Sequence, residues 1–136
     1  MEHRDDELER FFARDPLMLP IYRVLEDRIL AEIGADVLVR VQKTQITFSD
    51  RRVFGCASLP IRRKRDWPRH CLMVTFGLAH RVDAPRIAVA TEPYPHRWTH
   101  HVLVERPDEI DDELMAWMRE AHAFALSKGG AGRPSA

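Results

Sequence analysis

The sequence predicts an α+β domain: an antiparallel sheet of about six strands with an N-terminal helix or helices and one C-terminal helix packed on it. Three observations predict this. Apolar residues recur at three- and four-residue spacing from Ile21 to Ile33, and again from Ile110 to Ala125. Between these stretches the apolar period falls to two over a series of short segments. The order is therefore helices, then strands, then one helix, unlike the strand–helix alternation that builds a parallel sheet.

Taken in order, Asp5 to Arg14 reads as a short amphipathic turn or helix with Leu8, Phe11 and Phe12 on one side. Asp15-Pro16 interrupts it, because the residue before proline is pushed out of the α region. Pro20 suits a first helical turn, where its missing N–H would have had no partner. Ile21, Tyr22, Val24, Leu25, Ile29, Leu30 and Ile33 then form one buried helical face, and Gly34 is expected to end it through a left-handed cap. Val37, Val39 and Val41 alternate with Leu38, Arg40 and Gln42, as a strand with one polar face does. Gln45 to Ser49 is a second strand, Asp50-Arg51-Arg52 a turn, and Val53 to Leu59 a third strand with Gly55 inside it. Pro60 to Arg69 is polar, basic and holds two prolines, so it reads as a loop. Cys71 to Leu78 is the most apolar run and the natural central strand. Arg86 to Thr91 follows as a strand, Pro93-Tyr94-Pro95 as a stiff connector, and Trp98 to Glu105 as the last strand. In the closing helix Ile110, Leu114, Trp117, Met118, Ala121 and Ala125 share one stripe. Asp108, Glu109, Asp111, Asp112 and Glu113 are expected in its first turn, against the positive end of the helix dipole.

Residues 1–128 are read as one domain and 129–136, rich in glycine, as a mobile tail. A chain of 136 residues, 45% of them hydrophobic, suffices for one core without a metal or disulfide staple. No apolar run is long enough to span a membrane, and the acidic start Met1-Glu2-His3-Arg4-Asp5-Asp6 lacks the apolar stretch of a secretory signal. The two cysteines, Cys56 and Cys71, sit in apolar runs and read as free buried thiols; cytoplasm is the expected compartment. The net charge is zero but unevenly spread: Asp36 to Arg106 holds 13 Lys and Arg against 6 Asp and Glu, and the remainder 8 against 15. The middle is basic and the ends are acidic.

Phosphate-binding glycine loops, a dinucleotide fingerprint and a nucleophile elbow are all missing from the sequence. No cofactor is expected. His96, His100 and His101 lie close together, but there is neither a Cys-x-x-Cys nor a His-Glu-x-x-His, so no metal site is assigned. His100 is the candidate proton donor, because an imidazole beside a cleft titrates near neutrality. The sharpest feature outside the core is the run Arg62-Arg63-Lys64-Arg65 with Trp67 in the same loop. Guanidinium groups take phosphate bidentately and an aromatic ring among them can stack on a base. The opposing reading is a solvated loop whose cations pair with the chain's own acidic helices.

Two stretches resemble a bacterial family of domains of unknown function. One is Val41-Gln42-Lys43-Thr44-Gln45-Ile46-Thr47-Phe48 followed by Phe54. The other is Trp98-Thr99-His100-His101-Val102-Leu103-Val104, then Ile110-Asp111-Asp112-Glu113-Leu114-Met115-Ala116-Trp117-Met118-Arg119-Glu120-Ala121. The resemblance covers residues 19–126 and implies a small α+β domain found alone or appended to nuclease-like domains, with some members labelled as predicted transport proteins. It places Lys43 and His100 at recurrent polar positions. The chain departs from the pattern at His122, where an aromatic residue usually stands, and in its basic loop.

These readings lead to three expectations. The first is a binding or accessory module for an anionic ligand or nucleic acid, with Lys43, Arg63, Lys64, Arg65, Trp67, Trp98 and His100 as contacts. The second is a homo-oligomeric interaction domain, such as a homodimer that pairs acidic helices with a neighbour's basic loop. The third is an enzyme in which His100 donates a proton and Lys43 holds an anion.

Overall fold

The computed structural model describes residues 2–61 and 64–131. Helix α1 (Glu2–Phe11) leads through a 3₁₀ turn (Pro16–Met18) into α2 (Leu19–Glu32). Six strands follow: β1 (Leu38–Val41), β2 (Ile46–Asp50), β3 (Arg52–Ser58), β4 (Leu72–Leu78), β5 (Ile87–Tyr94) and β6 (Arg97–Val104). A second 3₁₀ turn (Pro107–Glu109) and helix α3 (Asp112–Ala131) complete the chain. The α+β class, the antiparallel six-stranded sheet and the placement of helices at both ends of the chain are as the periodicities predict. Arg62 and Arg63 of the basic run, and residues 132–136 of the expected tail, lie outside the described residues.

Sheet order is β1-β2-β3-β4-β6-β5, with every neighbouring pair antiparallel. The swap of the last two strands has a consequence that alternation cannot reveal. β4 ends at Leu78 opposite Trp98, whereas β5 begins at Ile87 opposite Val102, towards the other end of β6. Residues 79–86 must therefore run back along the sheet and cross β6. They cross on the helix-bearing face, where Val82 packs against the core and Arg86 reaches the start of α3.

That face carries the core. Phe48, Val74, Phe76, Leu78, Val102 and Val104 point from the sheet into Tyr22, Leu25 and Ile29 of α2 and Leu114, Met115 and Met118 of α3, all at most 1% exposed. Two buried polar groups are built in with their partners, as a buried hydroxyl and carboxylate require. The Tyr22 hydroxyl donates to Glu26 Oε1 at 2.8 Å, and Arg4 lies 3.3 Å from the other Glu26 oxygen. Burial, reinforced by the Glu26 charge, pushes the Tyr22 hydroxyl far above its ordinary range, so it stays a donor.

Several sequence expectations are corrected. Gly34 does follow α2, but no glycine among the described residues has a positive φ; its N–H instead reaches back to Ile29 O at 3.2 Å. The left-handed positions are Arg51 (φ 69°) and His96 (φ 64°), in the tight β2–β3 and β5–β6 turns. Pro93 and Tyr94 belong to β5 rather than to a connector, which an edge strand permits because its outer N–H positions need no partner. Asp108 and Glu109 sit in the 3₁₀ turn ahead of α3 and only Asp112 and Glu113 occupy its first turn. Asp111 caps the helix, accepting the Leu114 N–H at 3.0 Å while Arg86 holds both its oxygens at 2.8 and 2.9 Å. Burial works to raise the Asp111 pKa, but the Leu114 N–H and Arg86 outweigh it and leave it below the ordinary value.

Candidate functional site

Strand registers sort the predicted contact residues into two groups. The pairs Val41–Ile46, Ser58–Met73 and Leu72–Val104 mark one end of the sheet. The β1–β2 turn, with Lys43, and the β3–β4 loop, with Lys64, Arg65 and Trp67, both leave from that end. A backbone hydrogen bond from Trp67 N–H to Lys64 O (3.0 Å) folds residues 64–67 into one turn, which joins two cations to an indole. Lys64 and Arg65 are exposed and Trp67 is half-buried. Lys43 is exposed on its turn beside Glu7, Arg10 and Phe11 of α1.

Trp98 and His100 do not join this group. Trp98 pairs with Leu78 at the opposite end of the sheet, and the Arg81 guanidinium lies over its ring, 5.6 Å from the centroid. His100 is 0% exposed: its ring stacks on Phe76 (5.1 Å), which stacks in turn on Trp117 of α3 (5.6 Å). The 79–86 crossover closes over it, and Val82 N–H donates to His100 Nε2 at 2.9 Å. Nε2 is thus the unprotonated nitrogen and the ring proton sits on Nδ1, which is buried without a hydrogen-bond partner. Lys43 and His100 therefore share no recess, and the expected pairing of proton donor with anion holder does not form.

Arg4, Arg23, Arg28, Arg86, Arg106 and Arg119 make ion pairs, and His70, His80 and His122 each contact a carboxylate. Among the described residues, Lys43, Lys64 and Arg65 make none, and neither do the exposed Arg10, Arg40, Arg51, Arg52 and Arg81. Part of the helix acidity is met by arginines outside the basic end, Glu26 by Arg4, Glu32 by Arg28 and Arg119, Asp112 by Arg28, and Glu113 by Arg86, whereas Asp6, Glu7, Glu9 and Asp27 make no ion pair with a described residue. No group of three or more His, Cys, Asp or Glu among the described residues could hold a metal ion. Cys56 and Cys71 are free thiols. No helix among the described residues is long and apolar enough to cross a membrane.

The buried histidines make the fold sensitive to acid. Burial, joined by the nearby His80, His101 and Arg81 charges, lowers the His100 pKa, and burial alone lowers that of His101. The unfolded chain takes up these protons near the ordinary histidine value of about 6.5, and the folded chain only at lower pH. Unfolding thus binds protons in that window, and stability falls as pH drops below it. His80 acts in the opposite sense, since its hydrogen bond to Glu120 raises its pKa, but it is exposed and its contribution is screened. The urea midpoint is expected to be lower at pH 5.5 than at pH 7.5, a range above Asp111 titration. His100→Gln, which keeps an acceptor for Val82, should flatten the difference. An equal or higher midpoint at the acid pH would exclude this account.

The chain matches the family described as Domain of unknown function (DUF5655) over residues 9–125, and it belongs to that family. No curated protein and no solved structure shows significant similarity to it.

Proposed function

We propose that the domain is a binding or accessory module whose basic end receives an anionic partner, nucleic acid being the class to test first. One observation carries this reading: Lys43, Lys64 and Arg65 are exposed at one end of the sheet and none of them makes an ion pair with a described residue. An exposed cation without a partner gains from a phosphate, and Trp67 beside it offers a surface on which a base can stack. Burial of His100 counts against the enzyme reading, which needs that imidazole within reach of a substrate.

With zero net charge, long-range attraction is small and binding rests on local contacts, so it is expected at low salt. Fluorescence anisotropy with a labelled single-stranded DNA should show affinity falling as log salt rises, by about 0.7 log unit for each phosphate contacted. In a Lys43→Glu/Lys64→Glu/Arg65→Glu variant the affinity should fall by about tenfold or more, with a shallower slope. Trp67→Ala should weaken binding without altering the slope. Absence of binding at low ionic strength, or equal affinity of the triple variant, would overturn the nucleic-acid reading.

A further inference from the structure

The described helices pack on one face of the sheet. The core takes in inward residues from every strand, Val39 and Val41 of β1 and Ile87 of β5 included, whereas Leu38, Val53, Met73, Val89 and Leu103 take no part in it. Their places in the strands put these five on the other face. Cross-strand register arranges that face in rows. The central row crosses all six strands: Arg40, Thr47, Cys56, Thr75, His101 and Val89 each oppose the next. Within it Thr75 Oγ1 and His101 Nδ1 are 2.8 Å apart. To one side run Ser58, Met73 and Leu103. To the other, Leu38, Ser49 and Val53 lie over β1 to β3, and Gly77, Thr99 and Thr91 over β4, β6 and β5.

These rows depart from the rest of the chain in charge. Of all residues 31% are charged, yet in the three rows Arg40 alone bears a full charge, on an edge strand, and no carboxylate occurs. Depletion of charge at the centre of a patch, with methionine inside it and arginine at its border, is the composition of a protein interface. Leu38 and Val53, on either side of Ser49, are 53% and 52% exposed and gain by being covered. A phosphate-bearing strand, by contrast, finds no cation on β2, β3 or β4 in these rows, so the face suits protein rather than nucleic acid.

We propose that this face is the interface of a homodimer in which the open sheets of two copies stack on each other. A two-fold interface must complement itself, because the same patch serves both partners. Threonine and serine hydroxyls both donate and accept, so they can meet their own kind, as apolar side chains do; a face of one charge sign repels its copy. The size fits as well. Six strands and three outward rows span about 29 by 20 Å, roughly 600 Å² in plan before side-chain relief is counted. A standard interface takes about 800 Å² of accessible surface from each partner. Lys43, Lys64 and Arg65 lie in turns beyond the rows, so the basic end stays free in this dimer and the inference does not rest on the anion-binding reading.

Sedimentation equilibrium on the full chain, with Cys56 alkylation as a second readout, tests this. The parent should be a dimer at about 100 μM. It should remain one in about 1 M salt, which screens pairing between exposed charges. Cys56, half-buried in the central row, should react more slowly as concentration rises through the dimer range, while Cys71, 2% exposed, reacts equally slowly throughout. Leu103→Glu and, separately, Met73→Glu place a carboxylate inside the contact and should weaken association by about a hundredfold or more. Neither residue belongs to the core, so each variant should keep the parent's circular dichroism; should one misfold, the salt and alkylation results on the parent still decide. A monomer at about 1 mM, with Cys56 reactivity independent of concentration, would overturn the proposal and leave the face to a different protein. So would a dimer that dissolves in salt, or one that both folded variants leave intact, since either puts the contact elsewhere.

Discussion

Gly55→Val is expected to prevent stable folding, and Gly55→Ala to cost about 1–3 kcal/mol, the usual penalty for overpacking a filled core. A Cβ built on Gly55 would lie 2.8 Å from Met118 Cε and 2.9 Å from the Thr75 carbonyl oxygen. The two contacts are not equivalent. Met118 ends in a flexible thioether that can swing aside, but the Thr75 carbonyl belongs to β4, which is fixed by ladders to β3 and β6. Alanine can be accommodated by a shift of α3. Valine adds two further carbons against the same backbone, and its penalty takes up a large share of the roughly 5–15 kcal/mol that holds a small domain together. Gly77→Ala is the control, since its Cβ would meet nothing nearer than Trp98 O at 3.8 Å, an ordinary contact. Urea midpoints of the three variants test this. A Gly55→Ala midpoint as close to the parent's as that of Gly77→Ala would show that the strand end yields freely.

Gly55 also shows how far the sequence could be read. A glycine inside a strand pattern signals a bulge or a close approach of backbone, and here it marks both. Helical faces and strand alternation were legible because burial acts on each element's own periodicity. The exchange of β5 and β6 was not, because it depends on which strands find each other across the sheet. The contact set mixed two ends for the same reason: Trp98 and His100 are neighbours of Arg97 in sequence, yet strand direction carries them away from Lys43. Alternation could place His100 on a face but could not show that the 79–86 crossover covers it. The basic loop was the clearest chemical signal. Whether its cations meet the chain's own carboxylates depends on how the loop lies against the helices, which the sequence does not show.

Phe48→Ala should destabilise the domain by about 3–5 kcal/mol, the upper range for a buried aromatic replaced by alanine. Phe48 is 0% exposed and sits at the centre of a chain of ring contacts through the whole helix-bearing layer. Phe11 meets Phe12 at 5.0 Å, Phe12 meets Tyr22 at 5.5 Å, and Tyr22 stacks on Phe48 at 6.3 Å. Beyond it, Phe48 meets Phe54 at 6.5 Å and Phe54 meets His122 of α3 edge-on at 5.2 Å. How much the cavity costs depends on whether the neighbours can close it. Tyr22 is the nearest ring of α2, and its hydroxyl is tied to Glu26 at 2.8 Å, so the ring cannot move inward without breaking a buried hydrogen bond. On the other side Phe54 is the extra residue of the β-bulge and is held by its backbone. The cavity therefore persists, and the loss should be felt first where the chain of rings ends. Amide exchange in α1, which docks through Leu8 and Phe12, should rise towards the global unfolding rate before that of β4 and β6. Phe48→Leu, which keeps most of the volume, should cost about 1.5 kcal/mol or less. A loss below about 1 kcal/mol for Phe48→Ala, with α1 exchange unchanged, would mean that the helices are held to the sheet by contacts other than this aromatic chain.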